Sequence, residues 1–215
     1  MDGVEKRQGH NLPHWRAPDS TYFVTFRLND SLPREVVEEM RQEYLQPVLS
    51  EEQAVRRTLL PEEIRRVKAK QQNRLEKYLD SGRGACHMND PKCAEIVRDA
   101  MLFFDGQRYA LGAWAVMPNH GHAVLKPLVD HALEDVVRSW KGFSSRMINA
   151  HLGRKGTLWQ SEPYDHLIRN GDSFLRLSKY VLDNPVKAGL RDWPWTGIGS
   201  LGPTTEELIA WENTS

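Results

Sequence analysis

Cysteine is nearly absent: Cys86 and Cys93 are the two in 215 residues. That is too few for a disulfide framework, and Cys86-His87 with Cys93 lacks the paired spacing of a zinc knuckle, so both read as reduced structural thiols. No apolar run approaches the length of a membrane span. Met1 to His10 is polar, without the apolar core of a signal peptide, so the expectation is a cytoplasmic protein with no membrane partner. Internal repeats and low-complexity stretches are also missing. Net charge is lacking too: 29 basic and 29 acidic residues cancel, which by itself speaks against a nucleic-acid partner.

The distribution of charge says otherwise. Between Arg138 and Arg191 stand ten Lys or Arg residues and four acids, whereas Asp192, Glu206, Glu207 and Glu212 make the end of the chain acidic. A local basic field on a neutral protein fits a phosphate-binding face; the alternative is a solvated surface neutralised by acids close in space. Arg138, Lys141, Arg154, Arg169, Arg176 and Lys187 belong to this basic set.

Apolar residues at 40% and charged residues at 27% are ordinary for a globular protein. The length suits one domain over 1–215, with a helical insertion at about 33–80 and an acidic tail at about 196–215. Thr21 to Leu28 is β-branched and aromatic between turn residues, and reads as a strand. From Pro33 to Asp80 the chain is charged and helical with few apolar residues, so it is expected to cover a surface rather than build a core. Asp90-Pro91 opens a helix whose apolar stripe is Ile96, Val97, Ala100, Phe103 and Phe104. Tyr109 to Leu125 reads as two strand segments interrupted near Pro118. Leu133 to His151 carries a stripe of Leu133, Val136, Val137, Trp140, Phe143, Met147 and Ile148. Short extended pieces follow, then a helix begun by Asn170-Gly171-Asp172 and ended by Pro185. This order of elements suits an α+β fold with helices on an antiparallel sheet.

Two stretches carry chemistry. Met117-Pro118-Asn119-His120-Gly121-His122 ends an apolar run, and histidines at i and i+2 of a strand share one face of the sheet. Neutral imidazoles so placed can hold one metal ion, although His-x-His alone also fits a structural role. Lys179 to Pro185 reads as the last turns of a helix, on which Arg176, Tyr180 and Asn184 stack at i−4, i and i+4. That stripe offers a phosphate clamp, a phenolic nucleophile and an oxygen-bearing third ligand. A site of His120, His122 and Asn184 keeps positions open for phosphate oxygens, so a bound ion can act as a Lewis acid. A phenol titrates near 10, so attack at neutral pH needs a cation or a base nearby. The alternative for Tyr180 is packing with its hydroxyl at the surface, and Tyr164 is a competing nucleophile without a matching ligand. Trp159-Gln160 could stack on and hydrogen-bond an unpaired base.

Together these segments resemble the HUH-type single-strand DNA transposases. MPNHGH is similar to their MPNHxH signature. LWQ, YDHLIRN and KYVLDNPVKAGL resemble the W-Q, H-x-I-R and Y-I-x-N-P-V-K-A-G pattern of the REP-associated tyrosine transposases of the IS200-like superfamily. The resemblance runs over about 21–28 and 90–195. It implies a ferredoxin-like antiparallel sheet, with the histidine pair on a central strand and the tyrosine on a helix packed across it. It also implies a reaction: with Mg²⁺ or Mn²⁺, Tyr180 attacks single-stranded DNA beside a hairpin, leaving a 5′-phosphotyrosyl link and a free 3′-hydroxyl. Lys141, Arg154 and Arg169 are then candidate DNA contacts, with Trp159, Gln160, Arg176 and Lys187, in a monomer or homodimer. Two features depart from the pattern: Gly121 replaces the usual apolar middle residue, and the 33–80 insertion is long. A hairpin binder without cleavage, or a phosphoesterase using water in place of Tyr180, are the competing functions.

Overall fold

Strand Thr21–Arg27 alternates its side chains between two cores, and that alternation organises the molecule. In the computed structural model, residues 5–8, 13–16, 19–33, scattered positions between 35 and 42, and 74–213 are described. Strands β1 (Glu5–Gln8) and β2 (Pro13–Arg16) pair antiparallel as a separate ribbon. The main sheet contains β3 (Thr21–Arg27), β4 (Tyr109–Val116), β5 (His120–Pro127), β6 (Tyr164–Ile168) and β7 (Thr196–Ile198) in the order β6-β3-β5-β4-β7. Every neighbouring pair is antiparallel. Helices α1 (Pro91–Leu102) and α2 (Leu133–His151) connect the first four of these strands, which gives the ferredoxin-like βαββαβ pattern with β7 added at the β4 edge. Helices α3 (Gly171–Lys187) and α4 (Thr205–Glu212) follow, so the stretch expected to be an acidic tail supplies a strand and a helix. No helix among the described residues is long and apolar enough to cross a membrane.

One sheet face packs against α1 and α2 through Val24, Phe26, Leu111, Trp114, Ala123 and Leu125. The other carries Phe23, Ala113, Ala115 and Val124 beneath Val181 and Leu177 of α3. A register shift in β4 between Leu111 and Trp114 lets Leu111 and Trp114 face the same core despite their odd spacing. Gly121 has a local reason: a Cβ there would stand 2.5 Å from Cζ of Phe26, so the ring fills the space an apolar side chain would take.

Capping follows the sequence. Asp90 accepts from the Lys92 amide at 2.8 Å and Asn170 from the Ser173 amide at 2.9 Å. Three expectations are corrected. Helix α1 stops at Leu102, so Phe103 lies beyond it and is exposed. On α2, Phe143 and Met147 are exposed and Ser144 is buried, because the Ser144 hydroxyl donates to the Trp140 carbonyl and accepts from the Trp159 indole. Helix α3 does not end at Pro185 but runs through it to Lys187, with the Ala188 amide donating to the Asn184 carbonyl.

Most of the 33–80 insertion lies outside the described residues. Its last turns, helical residues 74–80, do more than cover a surface. Leu75 and Leu79 join Leu32 and Val36 in a satellite core, with Tyr78 and Tyr164 against it. This arm helix also reaches the histidine face of the sheet.

Candidate active site

Because β5 is extended, His120, His122 and Val124 share the face covered by α3. His120 and His122 are both fully buried, and their Nε2 atoms stand 2.9 Å apart. The other ring nitrogens are held from behind. Asn119 donates its amide to the carbonyls of Leu79 (3.1 Å) and Arg83 (2.9 Å), which fixes its side-chain oxygen as an acceptor. His120 Nδ1 therefore donates to that oxygen at 2.7 Å, leaving the Nε2 lone pair pointed into the site. Thr25 Oγ1 lies 2.9 Å from His122 Nδ1 and can serve either tautomer. Burial, with the neighbouring ring adding to it, holds His120 well below the usual histidine range, and burial pushes His122 down to about 3. Both rings are neutral near pH 7, as metal-ligating imidazoles must be.

Helix α3 brings the tyrosine. The Tyr180 ring meets His122 edge to face at 5.7 Å and Phe23 at 5.9 Å, and Lys187 Nζ lies 5.2 Å from its centroid. One turn on, Asn184 is fully buried with neither side-chain oxygen nor nitrogen hydrogen-bonded, and the Tyr180 hydroxyl is buried without a hydrogen bond of ordinary geometry. Pro185 in the same turn leaves this one-turn register intact. Burial and the nearby carboxylates of Glu76 and Asp80 push the phenol far above its ordinary range, with Asn184 opposing weakly. Asp80 is itself pushed up to about 6 by burial, with Lys187 pulling the other way. The phenol is thus protonated at any physiological pH until a cation offsets this environment.

The residues fit a divalent ion. Adjacent ligands of an octahedral ion bonded at about 2.1 Å stand about 3.0 Å apart, close to the Nε2 separation. A buried asparagine with both polar atoms orphaned is costly unless a ligand satisfies it. The Nδ1 partners of both histidines match the outer-shell bonding usual for ligating imidazoles. A cavity of about 260 Å³ opens beside His120, walled by Asp80, Cys86, Asn89, Met117 and Leu190 among others. Another group, Asp90, Cys93 and His151, brings three possible ligand atoms within 4.8 Å. Those residues are otherwise engaged: Asp90 caps α1 and pairs with His151 at 2.8 Å, while burial pushes the Cys93 thiol up to about 11.

Tyr164 sits two strands from His122, opposite Thr25 across β3, with its ring against the satellite core. Nothing in the sequence distinguishes Glu76 and Asp80 from the many similar charges around them, and Thr25 carries no motif of its own. Of the expected DNA contacts, Arg169, Arg176 and Lys187 are exposed. Arg154 hydrogen-bonds His87 Nε2 at 2.9 Å. Lys141 Nζ is bound to the carbonyls of Gln160 (2.6 Å) and Ser161 (2.7 Å), and burial pushes it down to about 8 despite Glu162. Trp159 is 3% exposed, its ring 5.0 Å from that of Phe26, which leaves no face for a base. Gln160 and Lys141 line a groove of about 620 Å³ with Arg138 and Ser145.

A family model described as transposase IS200 like matches residues 90–184, the stretch that holds both histidines, Tyr180 and Asn184. Over these residues the chain is similar to the IS200-like transposases. A REP-associated tyrosine transposase of Escherichia coli (strain K12) is 27% identical over 107 residues, 47% of this chain and 62% of that protein. The match therefore spans under two thirds of that relative's length. The solved structure of a REP-associated tyrosine transposase bound to a REP hairpin superposes with a TM-score of 0.47 at 16% identity, covering 96% of this chain and 86% of that one. The arm helix and Thr25 lie outside the matched residues.

Proposed function

We propose that this IS200-like protein is a metal-dependent single-stranded DNA endonuclease and strand transferase, cutting beside hairpins through a 5′-phosphotyrosine intermediate. The observation that carries the reading is the packing of Tyr180 on His122 one helical turn from the orphaned Asn184. A divalent ion such as Mg²⁺ or Mn²⁺, held by His120, His122 and the Asn184 side-chain oxygen, would polarise the scissile phosphate as a Lewis acid. Tyr180 Oη bonds to phosphorus as the bond to the 3′-oxygen breaks. The phenol loses its proton and the departing 3′-oxygen gains one. The ester stored on Tyr180 then yields to another 3′-hydroxyl, which reverses the step without a nucleotide cofactor.

Arg169 precedes α3, Arg176 lies one turn before Tyr180, and Lys187 ends the helix, so these exposed cations flank the nucleophile as backbone contacts. Lys141 braces the wall of the groove in which Gln160 is available to a base, with Arg154 at the neighbouring loop. Tyr180 rests on a histidine of its own chain, which favours a site complete within one protomer.

The test is a labelled single-stranded hairpin from sequence flanking the gene, incubated with Mg²⁺ or Mn²⁺. A protein–DNA band that survives denaturing electrophoresis, disappears with EDTA and is lost in Tyr180→Phe supports the reading. Cleavage without an adduct, unchanged in Tyr180→Phe, points to the phosphoesterase. Binding without cleavage points to a hairpin-holding protein.

A further inference from the structure

The cation site described above has only neutral ligands: two imidazoles and an amide. A divalent charge drawn out of water into so buried a place needs compensation. The described residues around it offer two carboxylates, both from outside the family-matched stretch. Glu76 and Asp80 stand at i and i+4 on the arm helix, so they share one helical face, and both act on the Tyr180 hydroxyl. Asp80 Oδ1 is buried without a hydrogen-bond partner, and its residue walls the cavity that opens beside His120. The same helix is tied to the histidines a second way, since Asn119 binds the Leu79 carbonyl with its amide and His120 with its oxygen.

We infer that Glu76 and Asp80 form the anionic wall of the His120–His122–Asn184 site, balancing a bound cation's charge and pinning the arm helix down when the cation is present. This rests on the metal-dependent reading given under Proposed function. The carboxylates act from beyond bonding distance: among the described residues neither joins the two histidines in a three-way group with all ligand atoms within 4.8 Å. Ions that keep part of their water shell suit that arrangement, the waters bridging ion and carboxylate. Without the cation, the two acids face a buried phenol, and Lys187 partly offsets the charge of Asp80. With it, they gain a positive partner, and the helix carrying them gains a reason to stay docked. Cation binding and arm docking are in this way one equilibrium.

Two readouts test this without DNA or turnover. Mn²⁺ binding to the full chain is followed by the electron paramagnetic resonance of the free ion. Tryptic cleavage after Lys77, within the arm helix, is followed with and without Mn²⁺. Glu76→Gln and Asp80→Asn should each weaken Mn²⁺ binding about 10- to 100-fold, as outer-shell losses do. Mn²⁺ should slow the Lys77 cut in the unmodified protein and not in the double variant. Circular dichroism in EDTA confirms folding, and if Glu76→Gln folds poorly, Glu76→Asp takes its place. Unchanged affinity in both acidic variants, with binding lost in His120→Ala/His122→Ala, overturns the inference and leaves the metal reading standing. No Mn²⁺ binding by the unmodified protein, or binding that survives loss of both histidines, overturns the metal reading and this inference with it. A Lys77 cut indifferent to Mn²⁺ overturns the coupling to the arm.

Discussion

The ring of Tyr180 stands edge-on to that of His122, centroids 5.7 Å apart and planes at 72°. The proposed nucleophile and one proposed ligand thus pack together within one chain, and the phenol packs there whether or not its hydroxyl reacts. Tyr180→Phe keeps the ring between Phe23 and His122 and removes a buried hydroxyl that lacks a hydrogen bond. Such a deletion is neutral or mildly stabilising. The expected outcome is complete loss of covalent adduct with a melting temperature equal to or above that of the parent. Mixing Tyr180→Phe with a His120→Ala/His122→Ala protein should not restore adduct formation; recovery would mean that two chains share a site.

Stability should fall as the solution is acidified from about pH 6.5 in EDTA. The folded protein holds both histidines below their usual value, His122 at about 3, so the unfolded chain binds protons that the native state refuses. Each such histidine removes about 1.4 kcal/mol per pH unit below its unfolded value. Asp80, raised to about 6, works the other way, because the folded state takes up its proton first. Two histidines outweigh one carboxylate, so urea midpoints should drop between pH 6.5 and 4, and Asp80→Asn should steepen the drop.

Gly121→Ala should destabilise by about 1–3 kcal/mol, the usual cost of an overpacked core. Its Cβ would fall 2.5 Å from the Phe26 ring, which is itself wedged against Trp159 and Trp140. Chemical denaturation measures the loss, and Phe26→Leu in the same chain should recover part of it.

Asn119→Ala breaks three bonds at once: to the Leu79 and Arg83 carbonyls and to His120 Nδ1. Each buried partner left unsatisfied costs about 1–3 kcal/mol. Thermal unfolding should show a loss at the upper part of that range or beyond, and hydrogen exchange at 74–80 should quicken, since this side chain ties the arm helix to β5.

Trp159 and Arg176 should behave oppositely. Trp159→Ala removes a core ring whose indole donates to Ser144, for about 3–5 kcal/mol of stability. Arg176 is exposed, so Arg176→Ala should leave the melting temperature unchanged. It should weaken hairpin binding and lower the slope of log K against log salt by about 0.7–0.9. An unchanged slope would remove Arg176 from the phosphate contacts.

The legible part of the sequence was its periodic part. Two-residue alternation put His120 and His122 on one face, and four-residue spacing put Tyr180 and Asn184 on another, both local rules that tertiary packing left intact. What could not be read depended on partners distant in the chain. Trp159 looks like an aromatic platform until Phe26 and Ser144 are seen around it. Ser144 interrupts an apolar stripe because an indole from another segment needs its hydroxyl. Glu76 and Asp80 gain meaning only once the arm helix is laid beside β5, a placement set by a few leucines in a highly charged stretch.

Tyr180 and Asn184 ride on a single rod, α3, whereas His120 and His122 are fixed in the middle strand of five. Any tilt or slide of that rod would withdraw the proposed nucleophile and the proposed third ligand together. On the proposed reading, the site has no half-assembled setting in which the pocket is complete but the cutter is absent. It is whole or it is off, and a strand tethered to Tyr180 would move as cargo of the same part that switches the chemistry.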